Sequence, residues 1–230
     1  MIHAFGSPHA PASRLVAALA TRGHALARPA GDAPGDRSTL VLGPGIVPNP
    51  MAIGTLLGAW RRTRGARVLV LSLIGCHRDA QATRLRDLWD LEEQARGSGL
   101  PTLTLRLAPL VGPDSPLWLR LRSRPRVKHA GRLMIQPLVE WDAIDTLDLA
   151  LNGVAPWKDW LEVAGPEVFS LGELLELAAA SGPALPGETG AWEPPLEEMR
   201  EHRIAEPGTW SERFHLTPRR VSEEARAWRV

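Results

Sequence analysis

The sequence predicts an α/β protein built on a doubly wound parallel sheet. Three consecutive segments carry this prediction. Residues 67–72 form an apolar run of strand length, residues 83–98 have the spacing of an amphipathic helix that ends at a Gly-Ser-Gly turn, and residues 102–106 form a second strand-length run. A strand, a helix and a strand in this order make a βαβ crossover, so we expect the two strands to lie parallel in one sheet.

The segments before this crossover predict the same alternation. Strands are expected at residues 2–5, 25–28 and 38–42, and helices at residues 13–22 and 49–64. The Gly-, Pro- and Asp-rich run 29–37 is too short to hold a further helix and strand. The sheet is therefore expected to be shortened by the loss of one crossover.

The second half of the chain predicts the rest of the sheet and a small C-terminal extension. Strands are expected at 133–135 and 160–163, a helix capped by Asp142 that runs to residue 152, and a helix 171–180 opened by a Ser170–Glu173 capping box. Residues 181–195 are expected to form an extended connector, followed by two short helices that begin near Pro195 and Pro218. We expect one compact unit with a core at 1–165 and a helical and extended cap at 166–230.

Composition limits the function classes. The chain has 230 residues, 44% of them hydrophobic, and a net charge of +1, which argues against a chain-wide attraction to nucleic acid or anionic membranes. A single cysteine, Cys76, excludes an internal disulfide and a cysteine-based zinc site, and the seven histidines lack metal-ligand spacing. No apolar run reaches the length of a membrane span and no signal peptide is evident, so a cytoplasmic protein is expected.

The turn after the first strand lies where a nucleotide-binding βαβ fold keeps its phosphate loop. Gly6 occupies the first glycine position of that loop, His9 the second and Ala12 the third. A side chain at His9 fills space that a pyrophosphate needs, and Pro8 and Pro11 remove amide donors. Dinucleotide binding is therefore expected to be weak or absent.

Several segments, in order and spacing, resemble a known family. They are residues 6–24, 68–72, 91–101, 103–113, 139–142, 165–171 and 216–218. Together they are similar to the atypical, NmrA-like branch of the short-chain dehydrogenase/reductase superfamily. The resemblance implies a Rossmann-like fold with a cofactor pocket at the carboxyl ends of the strands. The residues of that pocket would be Gly6, Ser7, His9, Ala12, Arg28 and Ser72, as a vestigial site, and Arg28 would favour NADP(H) if any cofactor binds.

Active members of this superfamily carry a Tyr with a Lys four residues later, and the lysine helps to lower the phenol pKa for proton exchange with the substrate. The present chain contains no tyrosine at all. Arg84 stands near the tyrosine position, and Leu88 or Trp89 stands near the lysine position. Ser72 matches the accessory serine of the family, but an isolated hydroxyl is no catalyst. Cys76 and His77 are adjacent, and adjacent side chains rarely point at one substrate atom.

A basic segment follows residue 113. Its cations occupy every even position: Arg120, Arg122, Arg124, Arg126 and Lys128. If the segment is extended, this period places all five charges on one side. Their mutual repulsion could be relieved by an acidic partner surface, a phosphate-rich ligand, lipid headgroups or water. Nucleic acid is disfavoured because the segment has no aromatic interleaving.

Three functions remain open from the sequence. The first is a non-catalytic Rossmann-like protein that serves as an accessory, assembly or regulatory subunit, without a cofactor. The second is an NADP(H)-dependent oxidoreductase, epimerase or isomerase that works without the Tyr/Lys pair. The third is a protein that binds a small anionic ligand in the vestigial pocket. We favour the first because the Tyr/Lys pair, the phosphate loop and one crossover are all altered or missing.

Overall fold

The computed structural model describes residues 1–4, 11–27, 36–44, 50–185 and 204–228. Within these ranges the strands are β1 (Ile2–Ala4), β2 (Thr39–Leu42), β3 (Arg67–Leu73), β4 (Thr102–Leu107), β5 (Leu110–Val111), β6 (Met134–Ile135), β7 (Leu138–Val139), β8 (Trp160–Val163) and β9 (Phe169–Ser170). The α-helices are α1 (Pro11–Thr21), α2 (Pro50–Trp60), α3 (Thr83–Gly97), α4 (Pro116–Arg122), α5 (Glu140–Leu151), α6 (Leu171–Ala180), α7 (Gly208–Phe214) and α8 (Val221–Ala227).

The central sheet is parallel and has five strands in the order β1-β2-β3-β4-β8. β1 pairs with β2 and β2 with β3 in parallel register, with His3 beside Leu40 and Val41 beside Leu69. The predicted βαβ crossover is present as β3, α3 and β4. The expected fold class, an α/β protein with a Rossmann-like parallel sheet, is thereby confirmed.

The predicted strand at 25–28 is reduced to a single bridge in the part of the chain that the structure describes. Leu26 pairs with Ile2 in parallel orientation, and Ala27 N donates to Ile2 O at 2.8 Å. Leu26 therefore pairs with β1 along the edge opposite to the one that pairs with β2.

The described chain divides into two compact units. Unit 1 comprises residues 1–106 and 146–161, and unit 2 comprises residues 107–145 and 162–230. The division falls inside β4, α5 and β8.

The core of unit 1 forms where apolar helix faces cover the sheet. Leu57 and Trp60 of α2 and Leu88 of α3 pack with Val68 and Val70 of β3. The alternate residues of β3, Leu69 and Leu71, are also buried. A strand with both faces buried is what a doubly wound sheet requires, and it explains why β3 is a continuous apolar run.

Unit 2 has its own core around two tryptophans. Trp118 of α4 is fully buried, and its ring meets that of Trp228 edge-on at a centroid distance of 4.9 Å. α6 begins at the predicted capping box, in which Ser170 Oγ accepts from Glu173 N at 3.2 Å and Glu173 Oε2 accepts from Ser170 N at 2.7 Å. The capping box and the helix 171–180 are confirmed.

The predicted capping role of Asp142 is wrong. α5 begins at Glu140, and Asp142 is buried inside its first turn. Both of its carboxylate oxygens accept from one residue 77 positions later: Oδ2 from Arg219 N at 2.8 Å and Oδ1 from Arg219 Nη1 at 2.5 Å. Burial raises the pKa of Asp142, and the hydrogen bonds from Arg219 oppose that rise.

α8 receives its N-terminal cap from a distant residue. Arg220 precedes the helix and provides no side-chain cap. Glu167 supplies it: Oε2 accepts from Ser222 N at 3.0 Å and Oε1 from Ser222 Oγ at 2.5 Å. The helix predicted near Pro218 is thus observed at Val221–Ala227. The helix predicted near Pro195, and the predicted connector beyond Leu185, lie outside the described residues.

The described helices include no segment with both the length and the apolar character needed to cross a lipid bilayer.

Candidate functional site

Proteins with open parallel sheets bind their ligands beyond the carboxyl ends of the strands, so the site of interest in unit 1 follows β1 and β3. Four of the predicted cofactor residues, Gly6, Ser7, His9 and Arg28, lie outside the described residues. Ala12 falls in the first turn of α1. The vestigial cofactor site therefore stays a prediction at these positions.

Ser72 is the predicted site residue that the structure describes best. It is the sixth residue of β3, and 1% of its surface is exposed. Its hydroxyl makes no hydrogen bond of normal geometry to any described residue, although it lies close enough to Cys76 to affect the thiol. A hydroxyl enclosed in this way cannot touch a substrate without a change in conformation.

Cys76 and His77, the polar pair after β3, face different surroundings. Cys76 is 2% exposed, and its Sγ donates to Leu85 O at 3.3 Å, whereas His77 is exposed. Burial, and then the nearby Glu92 carboxylate, raises the pKa of the Cys76 thiol to about 12. The thiol is therefore protonated at neutral pH and is not a nucleophile.

The helix that would carry the Tyr/Lys pair is α3. Arg84, near the tyrosine position, is exposed. Leu88, near the lysine position, is 5% exposed and belongs to the core of unit 1. Trp89, the other candidate for that position, is half-buried, with its ring centroid 5.5 Å from the guanidinium carbon of Arg106. These positions offer neither a phenol nor an amine.

A buried ion pair lies on the inner face of α3. Arg106 Nη2 donates to Glu92 Oε2 at 2.7 Å, and Arg106 Nε donates to Oε1 at 3.1 Å. Glu92 is completely buried and Arg106 is 6% exposed. The guanidinium also lies 4.2 Å from the ring centroid of Trp160. The pair uses both carboxylate oxygens and ties α3 to β4.

Sequence reasoning missed this pair. The signal was present, since Glu92 follows Leu88 by four positions and Leu85 by seven, which places it on the apolar face of the helix.

The basic segment after residue 113 begins as a helix, so the extended conformation that would place its five cations on one side is not present over residues 116–122. Ser115 caps a helix, because its Oγ accepts from Trp118 N at 3.2 Å and Pro116 fits the first helical position. Arg120 and Arg122 are therefore on α4, and the chain turns at Arg124, which has a φ of 54°. The five cations do not share one side.

Two of these arginines serve the fold of unit 2. Arg122 is 7% exposed, and its Nη2 donates to Pro183 O at 3.3 Å. Arg124 Nη2 donates to Ala179 O at 3.4 Å and to Gly182 O at 3.5 Å. Both cations thus meet the carbonyl end of α6, where the helix dipole favours positive charge. Arg126 and Lys128 are exposed.

A shallow groove of about 310 Å³ also lies in unit 1, between α2 and α3. Its lining includes Gly58 and Arg61 at the end of α2 and Gly97 and Ser98 at the end of α3. The next elements along the chain are β3 and β4, so the groove lies toward the amino ends of these strands. That edge is opposite to the one where such sheets bind cofactors.

Among the described residues, no group of three or more His, Cys, Asp or Glu side chains is arranged to hold a metal ion.

The order of the parallel strands and the covering helices define the fold class, which is the Rossmann-like α/β fold. No protein-family model and no curated protein matches the chain. Solved structures do match its fold.

UDP-N-acetylglucosamine 4-epimerase from Bacillus cereus is similar to this chain with a TM-score of 0.69 and 11% identity, over 100% of this chain and 95% of that one. The enzyme WbmG of Bordetella bronchiseptica, solved in complex with NAD, gives a TM-score of 0.66 and 14% identity over 99% and 93% of the two chains. TunA, an NAD-dependent NDP-hexosamine 5,6-dehydratase, gives 0.70 and 15% over 99% and 96%. At these identities the likeness shows the fold, and at that level the expected resemblance is confirmed.

Proposed function

We propose that this chain is a non-catalytic protein that keeps the fold of the NAD-dependent sugar epimerases as a scaffold, and that it acts by binding as an accessory, assembly or regulatory subunit. The observation that carries the proposal is the packing of α3. The position of the proton-relay lysine is taken by Leu88, which belongs to the core of unit 1, or by Trp89 beside Arg106.

The surroundings of these positions explain why a relay could not be restored by a small shift of α3. Leu88 is enclosed by apolar side chains, and burial there would disfavour the charged form of an amine. The chain has no tyrosine to be activated. Ser72 and Cys76 do not replace it, because both are buried and the thiol pKa is raised to about 12.

A second candidate is an enzyme that uses NADP(H) or NAD without the tyrosine. It is favoured by the extent of the structural likeness, since the fold matches 93% of WbmG, a protein solved with NAD. Such an enzyme would need a pyrophosphate to fit past His9, and a proton donor other than the groups described above.

The two candidates differ in cofactor binding and turnover. We expect titration calorimetry of the purified protein with NADH and with NADPH to show no micromolar binding. His9→Gly opens the second position of the phosphate loop and is expected to gain affinity. His129→Gly is the matched control, because His129 lies in unit 2 and has a φ of 58°, which glycine adopts freely. Micromolar binding by the natural protein, together with turnover of a hydride donor, would establish the enzyme instead.

The binding role is tested separately by capture from the native host. The exposed cations Arg126 and Lys128 are the described members of the basic segment best placed to meet an acidic partner. Changing both to Ala is expected to abolish the low-salt capture of an acidic partner protein from a lysate of the native host. Arg78→Ala, an exposed control in unit 1, should leave that capture intact. Unchanged capture by the double variant removes this segment from the proposal.

A further inference from the structure

Two buried hydrogen-bond donors lie on one face of α4 in unit 2. Trp118 is fully buried and Arg122 is 7% exposed. They are four positions apart, so their side chains lie one above the other along the helix. Neither Trp118 Nε1 nor Arg122 Nε has a hydrogen-bond partner among the residues that the structure describes. Buried donors are rarely left unpaired, and two on the same helix face point to a shared acceptor.

The charge of Arg122 leads to the same conclusion. Two arginines are buried in the described parts of the chain, Arg106 and Arg122. Arg106 forms two hydrogen bonds to the Glu92 carboxylate, whereas no carboxylate of the described residues lies within ion-pair distance of Arg122. A buried guanidinium without a counter-charge is unfavourable, so an anionic group is the acceptor that best completes this position.

Carbonyl groups that follow α6 compensate part of the Arg122 charge, but they do not accept hydrogen bonds from Arg122 Nε or Trp118 Nε1. Arg122 Nη2 reaches Pro183 O at 3.3 Å, a long hydrogen bond, and Leu185 N donates to Arg122 O at 3.3 Å. These contacts engage one end of the guanidinium and the backbone of Arg122. No residue in the described ranges accepts a hydrogen bond from the Nε of Arg122 or from the indole N–H of Trp118.

We propose that Trp118 Nε1 and Arg122 Nε form a binding position for an oxyanion, a carboxylate or a phosphate group, in unit 2. The two N–H groups donate to its oxygens, and the guanidinium supplies the positive charge. The proposal does not depend on the function proposed above, because it concerns neither the cofactor loop nor α3.

The test is anion-dependent thermal stability of the full chain, with sodium acetate and inorganic phosphate as probes and sodium chloride at equal ionic strength as reference. Binding to the native state raises the unfolding temperature in a saturable way. We expect saturable stabilisation of the natural protein by at least one probe. Acetate alone indicates a carboxylate site, and phosphate alone indicates a phosphate site.

The variants identify the residues. Arg122→Met keeps the apolar stem and removes all donors, and we expect it to lose the saturable stabilisation. Trp118→Phe removes the indole N–H and part of the buried ring that packs against Trp228, so we expect weaker binding together with a lower unfolding temperature without a probe. Arg226→Met, at an exposed arginine on α8 of unit 2, is the matched control and should behave as the natural protein does.

Two results would overturn the proposal. One is stabilisation that is absent, unsaturable, or equal in Arg122→Met and the natural protein. The other is an experimental structure, determined with the probe present, in which an ordered water joins the two nitrogens. If Arg122→Met does not fold, Arg122→Gln, which keeps a polar chain but removes the charge and the Nε donor, gives the same comparison.

Discussion

Replacing Arg106 with methionine tests whether the buried pair with Glu92 holds α3 to β4. The substitution keeps a chain of similar length and removes the charge, so Glu92 becomes a fully buried carboxylate without its partner. Removing one member of a buried ion pair costs about 3–5 kcal/mol of unfolding free energy. The contact of Arg106 with the Trp160 ring at 4.2 Å adds about 0.5–1 kcal/mol, because Trp160 is half exposed.

The same helix provides a matched control. Arg96 pairs with Glu93 on the outer face of α3, and their side chains are 45% and 46% exposed. Solvent screens such a pair, so Arg96→Met should cost about 0–1 kcal/mol. Urea unfolding followed by tryptophan fluorescence gives both values from the midpoint and slope of each transition.

A double variant separates the pair from the space it fills. Glu92→Met with Arg106→Met replaces both charges by apolar chains, and we expect it to recover most of the stability lost by Arg106→Met alone. The reasoning is refuted if Arg106→Met loses no more unfolding free energy than Arg96→Met. It is also refuted if the double variant loses as much as Glu92→Met and Arg106→Met lose together.

Three further predictions concern Cys76 and Glu167. Burial and the Glu92 carboxylate raise the pKa of Cys76 from 9.0 to about 12, so the thiol should react with iodoacetamide near neutral pH only as fast as the protein unfolds; rapid labelling of the folded protein would contradict this. Because the pKa of the thiol is higher in the folded than in the unfolded protein, its contribution to stability is fully present below pH 9.0 and is lost as the pH rises toward 12. Cys76→Ala should remove this alkaline loss of stability. The loss is measurable because few other side chains titrate in this range: the chain has no tyrosine and only two lysines, Lys128 and Lys158. Glu167→Ala removes the cap of α8 and should cost about 1–2 kcal/mol in thermal or urea unfolding, whereas the exposed Glu223→Ala should cost less; equal costs would show that Glu167 does not cap the helix.

Some features of the candidate site could be predicted from local sequence patterns, and others could not. The missing tyrosine is visible in the composition alone, whereas the lysine position at Leu88 or Trp89 is what the family resemblance implies. The amphipathic spacing of residues 83–98 predicted a core-facing side of α3, and Leu88 lies in the core, but this spacing was not used to find the buried Glu92 carboxylate on the same face. The error at Arg120 to Lys128 had a local remedy, because Ser115 followed by Pro116 is a signal for the start of a helix.

The sequence by itself determined the βαβ crossover of β3, α3 and β4, the capping box of α6 and the absence of the Tyr/Lys pair. These features depend on neighbouring residues or on composition, so a single chain of letters contains them. Tertiary structure alone decided that Asp142 binds Arg219, that Glu167 caps α8 and that Glu92 pairs with Arg106. It also decided that Arg122 is buried with no partner for its Nε among the described residues. Each of these outcomes depends on which residues, distant in sequence, are buried next to one another, and this is decided only when the sheet and helices pack. A buried charge is unfavourable unless an oppositely charged or hydrogen-bonding group lies beside it.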